Sequence, residues 1–381
     1  MSNSDVIEFI RELYNEPDGF IPLHIPRFRG REKEYLMNCI DSTFVSSVGE
    51  YVNQFEEDIA CITGARYAIA VVNGTNALQV ALRLAGVKTE EEVITQAFSF
   101  VATANAISYL GAKPVFIDVD RQRMGMSAEA LRSFLQESTE RKNGQVFNKK
   151  TGRRIAAIVP MHTFGFAAEI DSLVSIAKEW GIPLVEDAAE SLGTTYKGKH
   201  TGTFGLFGTM SFNGNKIVTC GGGGVIITDS EELAKKAKHL TTTAKVPHKW
   251  AYEHDMMGYN FRMPNLNAAL ACAQLEMLDE FLASKKKQAD QYSNFFSQTE
   301  DYSFIGEQEN SSSNFWLMTI ILSDKTHRDK FLKETNEAGV MTRPAWNLLN
   351  TLDMYRDCQS DDLLNSNWLF ERVVNVPSSV V

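Results

Sequence analysis

The 381-residue chain predicts an α/β protein: a mostly parallel central sheet covered by helices, followed by a smaller C-terminal α+β unit. Three observations carry this reading. Short β-branched and aromatic runs alternate with helix-period segments over residues 1–245, the pattern of a parallel sheet wrapped on both faces. Beyond residue 245 the alternation stops and a long helical stretch begins. Acidic, hydroxyl and glycine residues fall where the β-runs end, which is where such sheets collect ligands.

In chain order, residues 2–20 read as a short, mostly polar helix entering the extended segment Ile21-Pro22-Leu23. Arg31–Ile40 and Tyr51–Ile62 have helical spacing of apolar residues. The strands are expected at 67–72, 92–95, 114–118, 155–159, 183–186, 209–212 and 224–228. Helices are expected between them at 75–84, 102–110, 128–135 and 170–180. A loop rich in His, Lys and Tyr leads through Gly258-Tyr259-Asn260-Phe261-Arg262 to one long helix over 265–292. A strand at 314–322, a helix at 327–338 and a strand opening at Met341-Thr342-Arg343 follow. The expected division is a large unit over 1–245, including the helical segment 1–20, and a small unit over 246–381.

The net charge of -10 argues against bulk attraction to nucleic acid or an anionic membrane. An anionic ligand then needs local cations or helix N-termini. Five scattered cysteines with no CxxC pair read as free thiols in a reducing cytoplasm, and no metal ligand set is expected. No signal peptide and no apolar run near ~18 residues is found, so no membrane span is expected.

The chemistry centres on Lys216, in Ser211-Phe212-Asn213-Gly214-Asn215-Lys216, ahead of the glycine run 221–224 and 29 positions after Asp187. Burial in an apolar, glycine-bordered turn lowers the pKa of a lysine and frees its amine as a nucleophile, as a Schiff-base lysine requires. Its complement is a buried acid that keeps the ring nitrogen of pyridoxal phosphate protonated; Asp187, closing an apolar strand, stands at the right place to form that charge-assisted bond. Asn73-Gly74-Thr75-Asn76 follows a strand and opens a helix, a phosphate cradle of backbone amides and the Thr75 hydroxyl. Phe100 is placed to lie flat on a cofactor ring, and Ser211 to add a phosphate ligand. No member decides alone; their order along the chain is the signal.

At these residues the chain resembles the DegT/DnrJ/EryC1/StrS family of PLP-dependent sugar aminotransferases. The blocks that carry the resemblance are Phe55-Glu56-Glu57, Asn73–Leu78, Phe100–Ile107, Pro114–Asp118, Glu186–Ala189, Ser211–Lys216 with its glycines, and Gly258–Arg262. The resemblance implies the fold type I aminotransferase architecture and a homodimer whose active sites lie at the subunit interface. It implies Lys216 as the Schiff-base lysine, Asp187 on the pyridine nitrogen, Phe100 stacked on the ring, and Gly74, Thr75 and Ser211 on the phosphate. Asn260 is expected to reach the phosphate of the neighbouring subunit. Two positions depart from the family's common form: Glu190 stands where Gln or His is usual, and Asn73 where Ser is commoner. A carboxylate beside the cofactor's phenolate oxygen repels it unless protonated or turned away.

Glu186–Gly193, Ser211–Gly224 and Thr342-Arg343-Pro344-Ala345-Trp346 look like the branch that makes UDP-linked 4-amino-4,6-dideoxy-N-acetylglucosamine, toward bacillosamine or legionaminic acid. The implied reaction moves the amino group of L-glutamate, through pyridoxamine phosphate, to C4 of a nucleotide-linked 4-keto-6-deoxy sugar. Candidate cations for the sugar pyrophosphate are Arg27, Arg29, Lys245, Lys249 and Arg343, with Arg343 favoured beside Trp346; His162, ending a strand, is a candidate to border the cofactor, the alternative being a satisfied strand-end histidine. Competing readings are C3 amination of a dTDP- or UDP-keto sugar, a family dehydratase, which carries His at the lysine position, an amino-acid lyase, a nucleotide-binding oxidoreductase and a non-catalytic PLP-binding regulator. Lys216 disfavours the dehydratase. The glycine run precedes a strand instead of following one, which disfavours a dinucleotide turn. The chain offers no basic helix-turn-helix segment for a regulator.

Overall fold

The computed structural model describes residues 1–381. Seven strands form the central sheet: β1 (Tyr67–Val71), β2 (Glu92–Gln96), β3 (Lys113–Ile117), β4 (Ile155–Val159), β5 (Val185–Asp187), β6 (Phe207–Ser211) and β7 (Gly224–Thr228). Pairing gives the blocks β3-β2-β4 and β5-β6-β7-β1. Parallel bridges Ile158–Leu184 and Met161–Asp187 join them between β4 and β5. Within the joined sheet only β7 runs antiparallel to its neighbours. Strands β2, β4 and β7 are buried at every residue, as expected of strands with both faces covered.

The alternation of side chains along β7 shows which helices cover which face. Ile226 packs with α4 (Gly74–Leu84), α5 (Val101–Ser108) and α8 (Glu231–Thr241). Its neighbours Val225 and Ile227 pack toward α2 (Glu32–Asp41), α3 (Glu50–Thr63) and α9 (Asn265–Leu275). Helices α6 (Ala128–Ser138) and α7 (Ile170–Trp180) close the β2–β4 half. A second, antiparallel sheet orders β8 (Tyr302–Phe304), β9 (Met318–Leu322), β11 (Val373–Val376) and β10 (Arg343–Pro344). It packs on α10 (Leu278–Phe296) and α11 (Lys325–Glu337).

Three features depart from the sequence expectation. The helix expected over 265–292 is two helices, because α9 ends at Leu275 and α10 starts at Leu278. Alanine-rich α9 is buried on nearly all sides against α2 and α3, whereas α10 turns an apolar face to the second sheet; no Gly or Pro marks the joint. The first helix, α1 (Asn3–Tyr14), packs on the C-terminal sheet: Val6 and Ile10 enter its core, and Arg11 donates to the Ala338 carbonyl at 2.5 Å. A division of the chain at residue 245 therefore cuts through both packings. Thirdly, a hairpin of Thr139–Lys142 and Gln145–Asn148 lies between α6 and β4. Its turn, Asn143-Gly144, has φ of 52° and 74°, the left-handed pair a two-residue hairpin loop demands. No helix is long and apolar enough to cross a membrane.

Candidate active site

The carboxyl ends of β1, β5 and β6 meet at a cavity of about 270 Å³. At the end of β1, Asn73 caps α4 by accepting the Asn76 N–H at 2.8 Å. The other N–H groups of the first turn have no partner within the helix, and the positive end of its dipole faces the cavity. Gly74 lies directly against Ser211, the last residue of β6: a Cβ on Gly74 would fall 2.8 Å from the Ser211 Cβ. The Thr75 and Ser211 hydroxyls line the same corner.

Asp187 ends β5 and is buried. The Thr103 hydroxyl donates to its Oδ2 at 2.7 Å and the Ala189 N–H to its Oδ1 at 3.2 Å. Burial pushes its carboxyl above the usual range, against the pull of these donors and of the Lys216 charge. The turn after β6 delivers Lys216, whose Nζ lies 3.3 Å from Glu190 Oε1 and 3.8 Å from the centre of the Trp316 ring. Glu190 Oε2 accepts the Phe164 N–H at 2.8 Å. Burial pushes the Glu190 carboxyl up to about 7, with Lys216 opposing.

Of the residues expected from sequence, Gly74, Thr75, Phe100, Asp187, Glu190, Ser211, Lys216 and Trp346 line this one cavity. Phe100 is 47% exposed and lies 6.0 Å from the Trp346 ring. Three expected residues lie elsewhere. His162 stands at a strand end but turns its ring away from the cavity: Nε2 sits 3.0 Å from Glu186 Oε2, and Nδ1 accepts the Ala168 N–H at 3.1 Å. Both ring nitrogens are thus consumed in a structural bond, with the proton on Nε2. Arg343 is exposed on β10 and donates to Asn336 Oδ1 at 2.9 Å. Asn260 is exposed and accepts from Arg262 at 3.0 Å, outside the cavity of its own chain. Among the other candidate cations, Arg27 donates to the Val380 carbonyl and Arg29 pairs with Glu280 at 3.8 Å. Lys245 lies 4.1 Å from the Tyr252 ring centre, and Lys249 is exposed.

Sequence reading missed Thr103, Trp316 and the Phe164 N–H. Each acts on a residue far away in the chain, 84 positions in the case of Thr103 and Asp187. The one local signal is Phe164-Gly165, where Phe164 adopts a φ of 57° that aims its N–H at Glu190.

A helix N-terminus for an anion, a buried carboxylate and a lysine in one cavity define an enzyme that anchors a phosphorylated cofactor through an amine. The profile of the DegT/DnrJ/EryC1/StrS aminotransferase family matches residues 26–380. The chain is 38% identical over 335 residues to EpsN of Bacillus subtilis (strain 168), described as a pyridoxal phosphate-dependent aminotransferase, covering 88% of this chain and 84% of EpsN. It is 35% identical to the GDP-perosamine synthase of Vibrio cholerae, covering 94% of each. Among solved structures, the aminotransferase TlmJ from Streptoalloteichus hindustanus superposes with a TM-score of 0.85 at 25% identity, covering 94% of each chain. This chain belongs to the DegT/DnrJ/EryC1/StrS aminotransferase family, and it is a pyridoxal phosphate-dependent aminotransferase of fold type I.

The cavity fits that cofactor on its own terms. A side chain at Gly74 would meet Ser211, so this corner presents backbone and a hydroxyl, the groups a phosphate needs. Asp187 has hydroxyl and amide donors but no hydrogen-bonded cation, which leaves its charge for a pyridinium N–H.

Proposed function

We propose that this aminotransferase moves the amino group of L-glutamate to C4 of a nucleotide-linked 4-keto-6-deoxy sugar, with UDP-2-acetamido-2,6-dideoxy-4-ketohexose the favoured acceptor, in surface glycan biosynthesis. The observation that carries the reading is the meeting of Lys216, Asp187 and the Gly74–Thr75–Ser211 corner in one cavity.

Pyridoxal phosphate supplies the electron sink that makes the α-hydrogen of an amino acid removable. The rest falls to the chain. Gly74, Thr75 and Ser211 would donate to the phosphate, and the α4 dipole would add to their hold. Asp187 takes the ring N–H, and its bonds from Thr103 and Ala189 keep the carboxylate aimed. Phe100, which lines the cavity, would cover the ring. Lys216 would anchor the cofactor, and its amine, when free, would accept and return the proton taken from the donor's α-carbon. Trp316 and Trp346 wall the cavity and keep water from that transfer. Donor and acceptor use the same cavity in turn, so the kinetics are ping-pong.

In this reading the acceptor's pyrophosphate meets Arg343, and a second copy of the chain brings Asn260. Exposed apolar side chains in two segments, Phe44, Val45 and Val48 in one and Trp250, Tyr252 and Met257 in the other, support a homodimer that would cover them. A cytoplasmic enzyme with free thiols suits this substrate. The similarity to GDP-perosamine synthases favours a second reading, a GDP-linked keto sugar as acceptor.

The test is spectroscopic. L-Glutamate should bleach the visible absorbance of the loaded enzyme. The UDP-linked keto sugar should restore it faster than the GDP- and dTDP-linked ones, and the product's amine should be found at C4. Restoration by the GDP sugar alone selects the second reading. A spectrum that ignores glutamate removes the proposed donor.

A further inference from the structure

Glu190 stands where Gln or His is usual, and it is the acceptor nearest the lysine amine. One carboxylate oxygen lies 3.3 Å from Lys216 Nζ, and the other is fixed by the Phe164 N–H. The Asn314 side chain holds its backbone carbonyl at 2.9 Å. Both members of the pair are shielded, the Lys216 side chain being 12% exposed and that of Glu190 2%. The ionisable groups that act on Glu190 are Lys216, from the turn after β6, and Asp187, on β5.

An ammonium group has no lone pair, so Lys216 must shed a proton whenever it bonds to an aldehyde carbon. The Trp316 ring covers one side of Nζ, and Glu190 Oε1 is its hydrogen-bonded neighbour. Moving the proton from Nζ to Oε1 turns two buried charges into a neutral amine and a neutral acid, a change that a poorly solvated site favours. Glutamine at this position accepts no proton. We propose that Glu190 is a catalytic residue: it takes the proton from Lys216 Nζ onto Oε1, freeing the amine to condense with an aldehyde with loss of water, and returns it when the lysine is displaced. The inference rests on Lys216 being the attachment lysine.

The experiment measures the rate at which cofactor-stripped protein attaches pyridoxal phosphate covalently across a range of pH, with borohydride trapping and mass spectrometry as readout. In the wild type the rate should climb as pH rises through about 7, where Glu190 ionises and can accept the proton. Glu190→Gln should attach about 10²-fold more slowly at neutral pH. Its rate should lack the rise near pH 7. Glu190→Asp should keep the neutral rise at a reduced rate. A Gln variant with the wild-type rate and pH profile overturns the proposal. If that variant does not fold, the Asp variant decides: a slowed rate with the neutral rise supports the proposal, and an unchanged rate overturns it. Lys216→Ala separates the two assignments: attachment surviving in it sinks the lysine assignment and the role of Glu190 with it, whereas attachment lost in it but unaltered in Glu190→Gln sinks the role of Glu190 alone.

Discussion

At the floor of the cavity the buried carboxylates are tied down, whereas the residues expected at the rim are exposed. Asp187 has its two donors, and its strand neighbour Glu186, pointing to the opposite face, accepts four: Gly202, Phe204 and Gly205 N–H at 2.6–2.7 Å and His162 Nε2 at 3.0 Å. At the rim Phe100 is half exposed, and beyond it Arg343 bonds to Asn336 on α11 and Asn260 to Arg262. Buried polar groups must find partners when the chain folds, so the floor is set before any ligand arrives. Exposed groups satisfied by water are free to be reoriented, so the rim takes its final form only when a substrate or a second chain covers it. The difference separates the chemistry, common to the family, from the choice of acceptor.

The contrast is broken most strongly by removing a charge from the floor. Asp187→Asn keeps the size and at least part of the bonding to Thr103 and Ala189 but cannot neutralise a protonated ring nitrogen. Turnover should fall about 10²-fold, the effect of losing a charge-assisted buried bond worth ~3 kcal/mol. Burial raises the Asp187 pKa in the fold. The sign for the cofactor-free protein follows: protonation of Asp187 stabilises the fold, fully so below the unfolded carboxyl pKa near ~3.9, and this contribution is lost as pH rises through the folded value. Melting curves of cofactor-free protein should therefore show the Asn variant losing less stability than wild type as pH rises through that window.

Glu186→Gln attacks the same floor from its far face. One amide oxygen replaces a carboxylate that serves four donors, so buried N–H groups are left without partners. A loss of ~2–4 kcal/mol in unfolding free energy is expected, read by denaturant titration. An unchanged midpoint would show that loop 202–205 can reach solvent and that this face of the floor is not fixed. Gly74→Ala is milder. Its methyl meets Ser211 at 2.8 Å and intrudes on the phosphate corner. Equilibrium dialysis should show cofactor affinity reduced by about tenfold, with ~1–2 kcal/mol of overpacking in stability.

The strand-end residues of the floor were legible in the sequence, as were Phe100 and Trp346, and the rest was not, for a physical reason. Strand ends point into the crevice by topology, so the places of Gly74, Asp187, Ser211 and Lys216 follow from finding the strands. His162 shows the limit of that logic: it too ends a strand, but adjacent strand residues face opposite ways, and it meets Glu186 where Asp187 meets the cavity. Thr103, Trp316 and the position of α1 depend on packing between remote segments, for which a single sequence carries no local sign. The break between α9 and α10 is a further case, since it lacks a Gly or Pro.

The smallest effect should come from the rim, and it is the sharpest test of the contrast. Arg343→Ala removes an exposed guanidinium bonded to Asn336 and to the Thr342 carbonyl. Exposed substitutions of this kind change stability by ~0.5 kcal/mol or less, so melting should stay put. If Arg343 meets the acceptor's pyrophosphate, KM for the sugar nucleotide should rise about tenfold, the ~1.5 kcal/mol of one hydrogen bond to a charged group, with the glutamate half-reaction untouched. The effect should shrink at high salt, as an exposed charge contact must. A change in the glutamate half-reaction instead would mean that Arg343 is coupled to the floor, and the separation of fixed chemistry from adjustable specificity would fail at its most exposed point.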